Sequence, residues 1–235
     1  MKKGVIDIGN TRNKAAIFNE NGEIETIESF ETAQQATEWL LSLGATHLMV
    51  SDVKGASLIQ LPGSHIQYLN SETKLPFTNL YATPTTLGTD RIAGMAAVAT
   101  LYPNQASLVF DIGSCMTIDL LEPNMQYHGG NISPGLQMRL KAMQHFTGKL
   151  PLSDLEHLHL PMGNTTLSAL ANGAFTGLKN EIEGYIETTV KQYPEANIIL
   201  CGGDAHYFEK QLKFKIFANH NLVLLGLYHL LTFND

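Results

Sequence analysis

The sequence predicts an α/β protein built from two duplicated domains, and three observations predict it. Its 235 residues are 44% hydrophobic and 16% charged, a globular composition with room for two small domains. Three meandering strands followed by alternating helices and strands can be traced twice along the chain. An apolar strand, Asp-Ile-Gly and a second apolar strand occur in "GVIDIGNTRNKAAIF" from residue 4 and again in "LVFDIGSCMTIDLL" from residue 108, so that Asp7 and Asp111 stand 104 positions apart. The expected domains are 1–105 and 106–235.

In the first half, residues 4–9 and 13–19 read as strands, and after the "NENG" turn residues 23–30 alternate as a third. Thr32 and Gln35 are placed as a capping box, with Gly44 as a C-terminal stop, so "TAQQATEWLLSLG" is a helix. A strand "THLMVSDV", a short helical stretch near 54–60 and a strand near 65–69 follow. The Pro/Thr-rich loop "FTNLYATPTTLG" leads into a helix "TDRIAGMAAVATLY".

The second half repeats the order with strands at 107–111, 114–121 and, briefly, 125–128, then a helix from about 135 to 147. A long helical pattern at 165–191 is ended by Pro194. Strand "NIILCGG", helix "DAHYFEKQ", strand "FKIFA" and the amphipathic helix "NLVLLGLYHLLTF" complete it. Gly129-Gly130 and Pro134-Gly135 read as turns that present the following helix, with no chemistry assigned to them.

The bulk numbers exclude several classes of function. Fifteen Lys plus Arg against 22 Asp plus Glu leave a net charge of −7 with no basic stripe, which argues against nucleic acid or an acidic membrane as partner. No segment approaches the ~20 apolar residues of a membrane span, and the N-terminus enters a strand at once, so a cytoplasmic location is expected. Cys115 and Cys201 lie in apolar strands and read as buried thiols. "HLHL" at 157–160 has no partners at metal-ligand spacing.

What remains is small-molecule chemistry. Each Asp of the repeated motif ends a strand two residues before a Gly that permits a tight turn and close backbone approach. Backbone N–H groups and a hydroxyl, Thr11 or Ser114, can then cradle a phosphate, while the carboxylate holds a cation that neutralises it. In "NIILCGGDAHYF", Gly202 and Gly203 mark a strand-to-helix turn where a flat ligand or a phosphate can approach. Asp90 and Arg91 open a helix directly after Gly88. Phosphoryl transfer to an alcohol needs a carboxylate to orient or deprotonate the hydroxyl, and the planar fork of Arg suits a substrate carboxylate. Taken alone, Thr89 or Asp90 capping a helix beside a solvated Arg91 accounts for the same residues.

Together these features resemble the actin-like ATPase superfamily of duplicated ribonuclease H-like domains, with its two phosphate hairpins and adenosine motif at 7–14, 111–117 and 202–205. That resemblance implies a nucleotide cleft between the two domains. Over nearly the whole chain, "DIGNT", "YATPTTLGTDR", "DIGSCMTID", "GGNISPGLQM", "TGKLP", "NTTLSALANGAFTG" and "CGGDA" resemble the type III pantothenate kinase family in order and spacing. The resemblance implies phosphorylation of pantothenate by ATP, with Asp90 as proton acceptor and Tyr81, Gly88, Thr89, Asp90 and Arg91 at pantothenate. It also implies that Asp7, Ile8, Gly9, Asn10, Thr11, Arg12, Asn13 and Lys14 bind ATP, together with Ser114, Gly202 and Gly203. Asp7 would hold magnesium, directly or through water, and Asp111 a potassium or ammonium ion. Thr166 would reach pantothenate across a homodimer interface. The second hairpin departs from the family's Asp-x-Gly-Thr-Ala-x-Thr, with Ser114 for Thr and Cys115 for Ala; Ser keeps the hydroxyl and Cys is small and apolar, so function is expected to survive. A non-catalytic nucleotide-binding homologue, or a kinase of another small hydroxyl compound, fits the same residues.

Overall fold

The structure, a computed structural model of the chain, describes residues 2–54 and 65–235. The helical stretch expected near 54–60 lies outside the described residues from position 55 on. The chain divides into two compact units. The first holds the chain up to Gln105 with Leu120–Gly129 and Asn221–Asp235, and the second holds Ala106–Asp119 and Gly130–His220.

In the first unit, β1 (Lys3–Ile8), β2 (Asn13–Phe18) and β3 (Ile24–Phe30) form the expected antiparallel meander. The turn between β2 and β3 is closed by Asn19, whose Oδ1 accepts the amides of Asn21 and Glu23 at 2.9 Å each, while Gly22 takes φ +80°. Helix α1 (Ala33–Ser42) starts in the capping box read from sequence, with Thr32 Oγ1 accepting the Gln35 amide and Gln35 Oε1 accepting the Thr32 amide. Past its end Gly44 stands at φ +83°. Strands β4 (His47–Asp52) and β5 (His65–Tyr68) join β1 in parallel, giving the order β3-β2-β1-β4-β5. The loop read at 77–88 contains the two-residue strand β6 (Thr78–Asn79) and a 3₁₀ turn, and helix α2 (Thr89–Leu101) follows. The core cluster joins Ile6 of β1, Ile17 of β2, Leu40 of α1 and Leu48 of β4.

The second unit reproduces that plan. Strands β7 (Ser107–Ile112), β8 (Cys115–Leu121) and β9 (Gln126–Pro134) precede helices α3 (Leu136–His145) and α4 (Thr166–Gln192). Strands β10 (Asn197–Cys201) and β11 (Phe217–Ala218) complete the sheet. With β6 beside β9 the order is β11-β10-β7-β8-β9-β6, and its first five strands repeat β5-β4-β1-β2-β3, which bears out the duplication. Three elements differ from the sequence reading. Strand β9 has nine residues and runs straight through Gly129 and Gly130. The stretch 204–211 folds only a 3₁₀ turn at Ala205–Tyr207, because Asp204 makes no side-chain cap and the preceding Gly202 is left-handed at φ +89°. The strand "FKIFA" pairs only at Phe217 and Ala218, while the preceding Lys213 is tied to α4, its amide bonding Glu183 and its Nζ bonding Glu187.

The last helix, α5 (Leu222–Phe233), belongs with the first unit. A Cβ at Gly226 would collide with the Ala93 carbonyl oxygen and lie 2.5 Å from its carbon, so α5 and α2 meet backbone to backbone. Lys3 pairs with Asp235, and Asn234 exchanges two hydrogen bonds with the Lys74 backbone at 3.1 and 3.0 Å. No helix among the described residues is long and apolar enough to cross a membrane.

Candidate active site

In the first unit the β1–β2 turn is pinned by the Gly9 amide, which donates to the Arg12 carbonyl at 3.2 Å. A Cβ at Gly9 would lie 2.9 Å from that oxygen, so the turn needs glycine. Asn10, Thr11 and Arg12 are exposed at its tip, Ile8 is core, and Lys14 is half-buried. Asn13 goes inward: it is 3% exposed, and its Nδ2 bonds the carbonyls of Phe30 and Glu31 at 3.3 and 2.9 Å. It ties β2 to the end of β3 rather than facing the tip. Asp7 pairs in register with Lys14 on one side and Ser51 on the other, so these three polar residues share one face at the ends of β2, β1 and β4.

Ser51 is fully buried and shares a 2.9 Å hydrogen bond with Thr89, the first residue of α2. This brings the helix start carrying Asp90 to the strand ends that carry Asp7. Gly88, the N-cap, has no side chain to cap with, and a Cβ there would collide with Asp90 Oδ1. That oxygen accepts the Arg91 amide at 2.8 Å, which satisfies one of the helix's first N–H groups. A carboxylate in the first turn also meets the positive end of the helix. Arg91 is 7% exposed, with its guanidinium 5.6 Å from the centre of the Tyr81 ring. Tyr81 stacks on Tyr127 at 6.4 Å and 14°, and a Cβ at Gly129 would strike the Tyr81 ring, 2.8 Å from Cε2. Tyr81, Gly88, Thr89, Asp90 and Arg91 are therefore gathered on one corner of this unit, as sequence reading had grouped them.

In the second unit, the Gly113 amide donates to the Cys115 carbonyl at 2.9 Å and closes the second Asp-Ile-Gly hairpin. The Ser114 carbonyl accepts the amide of Gly135, the N-cap of α3, at 3.2 Å, and a Cβ at Gly135 would lie 2.8 Å from the Ser114 oxygen. Asp111 is half-buried and pairs in register with Cys201. The next residue, Gly202, leaves no space: a Cβ would collide with Asp111 Oδ1 and fall 2.5 Å from the Ile112 carbonyl oxygen and 2.6 Å from its nitrogen. The Asp204 amide bonds the Ile112 carbonyl at 2.9 Å, so the Gly202-Gly203 turn is sewn to the hairpin. Burial pushes the Asp204 carboxyl above its ordinary pKa, partly opposed by His206. Thr166, the first residue of α4, is exposed, because the cap is made by Thr165, whose Oγ1 accepts the Ser168 amide at 3.1 Å.

Sequence reading passed over Ser51, a polar residue in an apolar run, and the glycines of β9. Gly130 packs onto β8, where a Cβ would collide with the Ile118 carbonyl and lie 2.7 Å from Oδ1 of the buried Asp119. Among the described residues no group of three or more His, Cys, Asp or Glu side chains is gathered to hold a metal. A cation at Asp7 or Asp111 would thus rest on one carboxylate and complete its shell with phosphate and water oxygens, the usual arrangement for magnesium. Both carboxylates fit that use, standing at strand ends beside glycine turns.

A sequence model of the type III pantothenate kinase family matches residues 5–188. The type III pantothenate kinase of Bacteroides fragilis strain YCH46 is 40% identical over 238 residues, 98% of each chain, and that of Cytophaga hutchinsonii is 36% identical over 232 residues, also 98% of each. Among solved structures, glucokinase from an Antarctic psychrotroph superposes with a TM-score of 0.53 at 12% identity, covering 98% of both chains. The architecture is that of the actin-like ATPase and sugar kinase fold.

Proposed function

This chain belongs to the type III pantothenate kinase family, and we propose on that premise that it transfers the γ-phosphate of ATP to the primary hydroxyl of pantothenate, the first step of coenzyme A biosynthesis. The observation that carries the reading is Asp90 at the first turn of α2, held by the Arg91 amide and anchored through Thr89 to the strand that flanks Asp7. A carboxylate so placed can orient the acceptor hydroxyl and take its proton. Arg91, buried and braced by Tyr81, offers a planar fork for the pantothenate carboxylate. Gly88, Thr89 and Tyr81 line the same corner.

The exposed tip from Gly9 to Arg12, with Lys14 beside Asp7, receives the phosphates, and Ser114, Gly202 and Gly203 receive the rest of the nucleotide. Magnesium at Asp7 and potassium or ammonium at Asp111, when bound, offset the charge that spreads over the transferred phosphoryl group. The residues do little covalent chemistry: they align hydroxyl and phosphorus and hold a proton acceptor. The working form is a homodimer in which Thr166 of one copy reaches the pantothenate bound by the other. Supporting it, Ile132, Phe146 and Met162 of the second unit are 65%, 82% and 79% exposed, apolar side chains of the kind that association covers.

A coupled ADP-release assay with pantothenate against a panel of sugars and short hydroxy acids tests the reading. Turnover with pantothenate alone is expected. Turnover with another acceptor, or nucleotide binding without turnover, overturns it.

A further inference from the structure

We propose that Ser51 is a positioning residue for the phosphoryl transfer, acting through Thr89 to fix where the first turn of α2, and hence Asp90, stands against the phosphate hairpin at Asp7. The inference rests on the acceptor-kinase reading of that corner. Ser51 is the last buried residue of β4, with no exposed surface, in register with Asp7 on the neighbouring parallel strand. A hydroxyl at such a place is costly unless bonded, and its partner is Thr89 Oγ1 at 2.9 Å. The N-cap of α2 is Gly88, and Asp90 Oδ1 turns back on the Arg91 amide, a contact inside the turn itself. The Ser51–Thr89 pair is a side-chain link that ties this turn to the sheet carrying Asp7. A small tilt of the turn would swing the carboxylate of Asp90 away from the line between hydroxyl and phosphorus while leaving the phosphate hairpin in place.

A misplacement of about 1 Å can cost on the order of 10² in rate, so Ser51→Ala is expected to lower kcat roughly 10- to 100-fold, with KM for ATP unchanged. Ser51→Thr, which keeps the hydroxyl, should recover most of that loss even where its additional methyl lowers the melting temperature. Amide exchange at Arg91 and Ile92, whose N–H groups bond Asp90 Oδ1 and the Gly88 carbonyl, should quicken in Ser51→Ala and stay slow in Ser51→Thr. If Ser51 acts through Thr89, adding Ser51→Ala to Thr89→Val should deepen the loss of kcat by less than threefold. A melting temperature that falls while kcat per folded enzyme and the exchange rates stay at wild-type values overturns the proposal, as do losses that multiply in the double variant. Should Ser51→Ala fail to fold, Thr89→Val at the half-buried helix start carries the test alone. Faster exchange at Ile92 with reduced kcat is expected, and wild-type values of both overturn the proposal. The substrate reading fails separately: if the wild type phosphorylates another acceptor, or none, the exchange measurement still decides the role of Ser51.

Discussion

Gly202→Ala measures how tightly the Gly202-Gly203 turn is built onto Asp111, and a second glycine in this chain supplies its control. Gly44 and Gly202 take nearly the same left-handed conformation, φ +83° and +89°, but a Cβ at Gly44 meets nothing within 4 Å, whereas one at Gly202 collides with Asp111 Oδ1 and lies 2.5 Å from the Ile112 carbonyl. Alanine carries the same conformational cost at both sites, about 1–2 kcal/mol, and at Gly44 it carries no other. At Gly202 the backbone of Ile112 cannot move aside as a flexible side chain would, so overpacking adds roughly 1–3 kcal/mol. With about 2–4 °C of melting temperature per kcal/mol for a chain of this size, Gly202→Ala should melt ~2–12 °C below Gly44→Ala. Because the displaced atoms include Asp111, ADP release should also fall by more than tenfold in Gly202→Ala at a temperature where both variants are folded, while Gly44→Ala keeps wild-type turnover. Thermal melts and the coupled assay run on both variants decide the matter. Equal melting temperatures and equal turnover would show that the turn yields freely and that the packing of Gly202 on Asp111 has no functional weight.

Asp90→Asn, which preserves the oxygen that accepts the Arg91 amide, should cut turnover by about 10²–10⁴ with ATP affinity and melting temperature nearly intact; wild-type kcat would remove Asp90 from the mechanism. The cation roles proposed for Asp7 and Asp111 predict that turnover requires potassium or ammonium besides magnesium, since one divalent ion does not fully offset the charge of a polyphosphate tail, and equal rates in sodium-only buffer would refute this. If the proposed homodimer shares its sites, Asp90→Asn and Thr166→Val, provided the latter proves inactive alone, should recover roughly a quarter of wild-type activity when co-refolded, because half the dimers would be mixed and each would hold one intact site of two; no recovery despite demonstrated subunit exchange would exclude a shared site. Burial holds the His229 imidazole below its ordinary pKa, so the folded chain keeps it neutral while the unfolded chain takes up a proton near pH ~6.5. Its contribution to stability is thus whole above that pH and is lost as pH falls below it. In Leu222–Phe233, His229→Leu should flatten the decline in urea midpoint between pH 7.5 and 5.5, and an unchanged slope would disprove the assignment.

Local chemistry made most of the fold legible. The capping box at Thr32 and Gln35, the stop at Gly44 and the two Asp-Ile-Gly hairpins are decided by residues within a few positions of one another, and each formed where the sequence placed it. What escaped was decided by contacts far along the chain. Gly129 and Gly130 look like turn residues until the Tyr81 ring lies against one and the Ile118 carbonyl against the other, so that glycine serves strand packing instead of chain reversal. Chain order likewise places α5 with the second half, whereas the backbone contact that draws it to α2 needs Gly226 opposite Ala93. Within the site, the corner around Asp90 could be grouped from one contiguous motif. Ser51 could not, because its meaning comes from register with Asp7 across β1 and β4 and from a hydrogen bond spanning 38 positions.

The duplication sharpens the contrast between the two halves, since equivalent positions can be compared atom for atom. In each sheet the Asp of the hairpin strand faces, on its parallel neighbour, the residue that ends that neighbour's buried run: Ser51 opposite Asp7, and Cys201 opposite Asp111. In the first unit that residue is a hydroxyl that reaches a helix carrying a carboxylate and a buried guanidinium. In the second it is a buried thiol followed by Gly202, whose missing Cβ lets the turn close onto the hairpin. A hydroxyl can anchor polar machinery at a defined angle, whereas a thiol is a small, largely apolar group and a weak hydrogen-bond donor. The same strand order thus carries a polar, bond-directed corner in one half and a bare backbone turn in the other. The proposed acceptor site draws on the first, and the proposed nucleotide site on the second, a kind of turn against which a flat ligand can lie close.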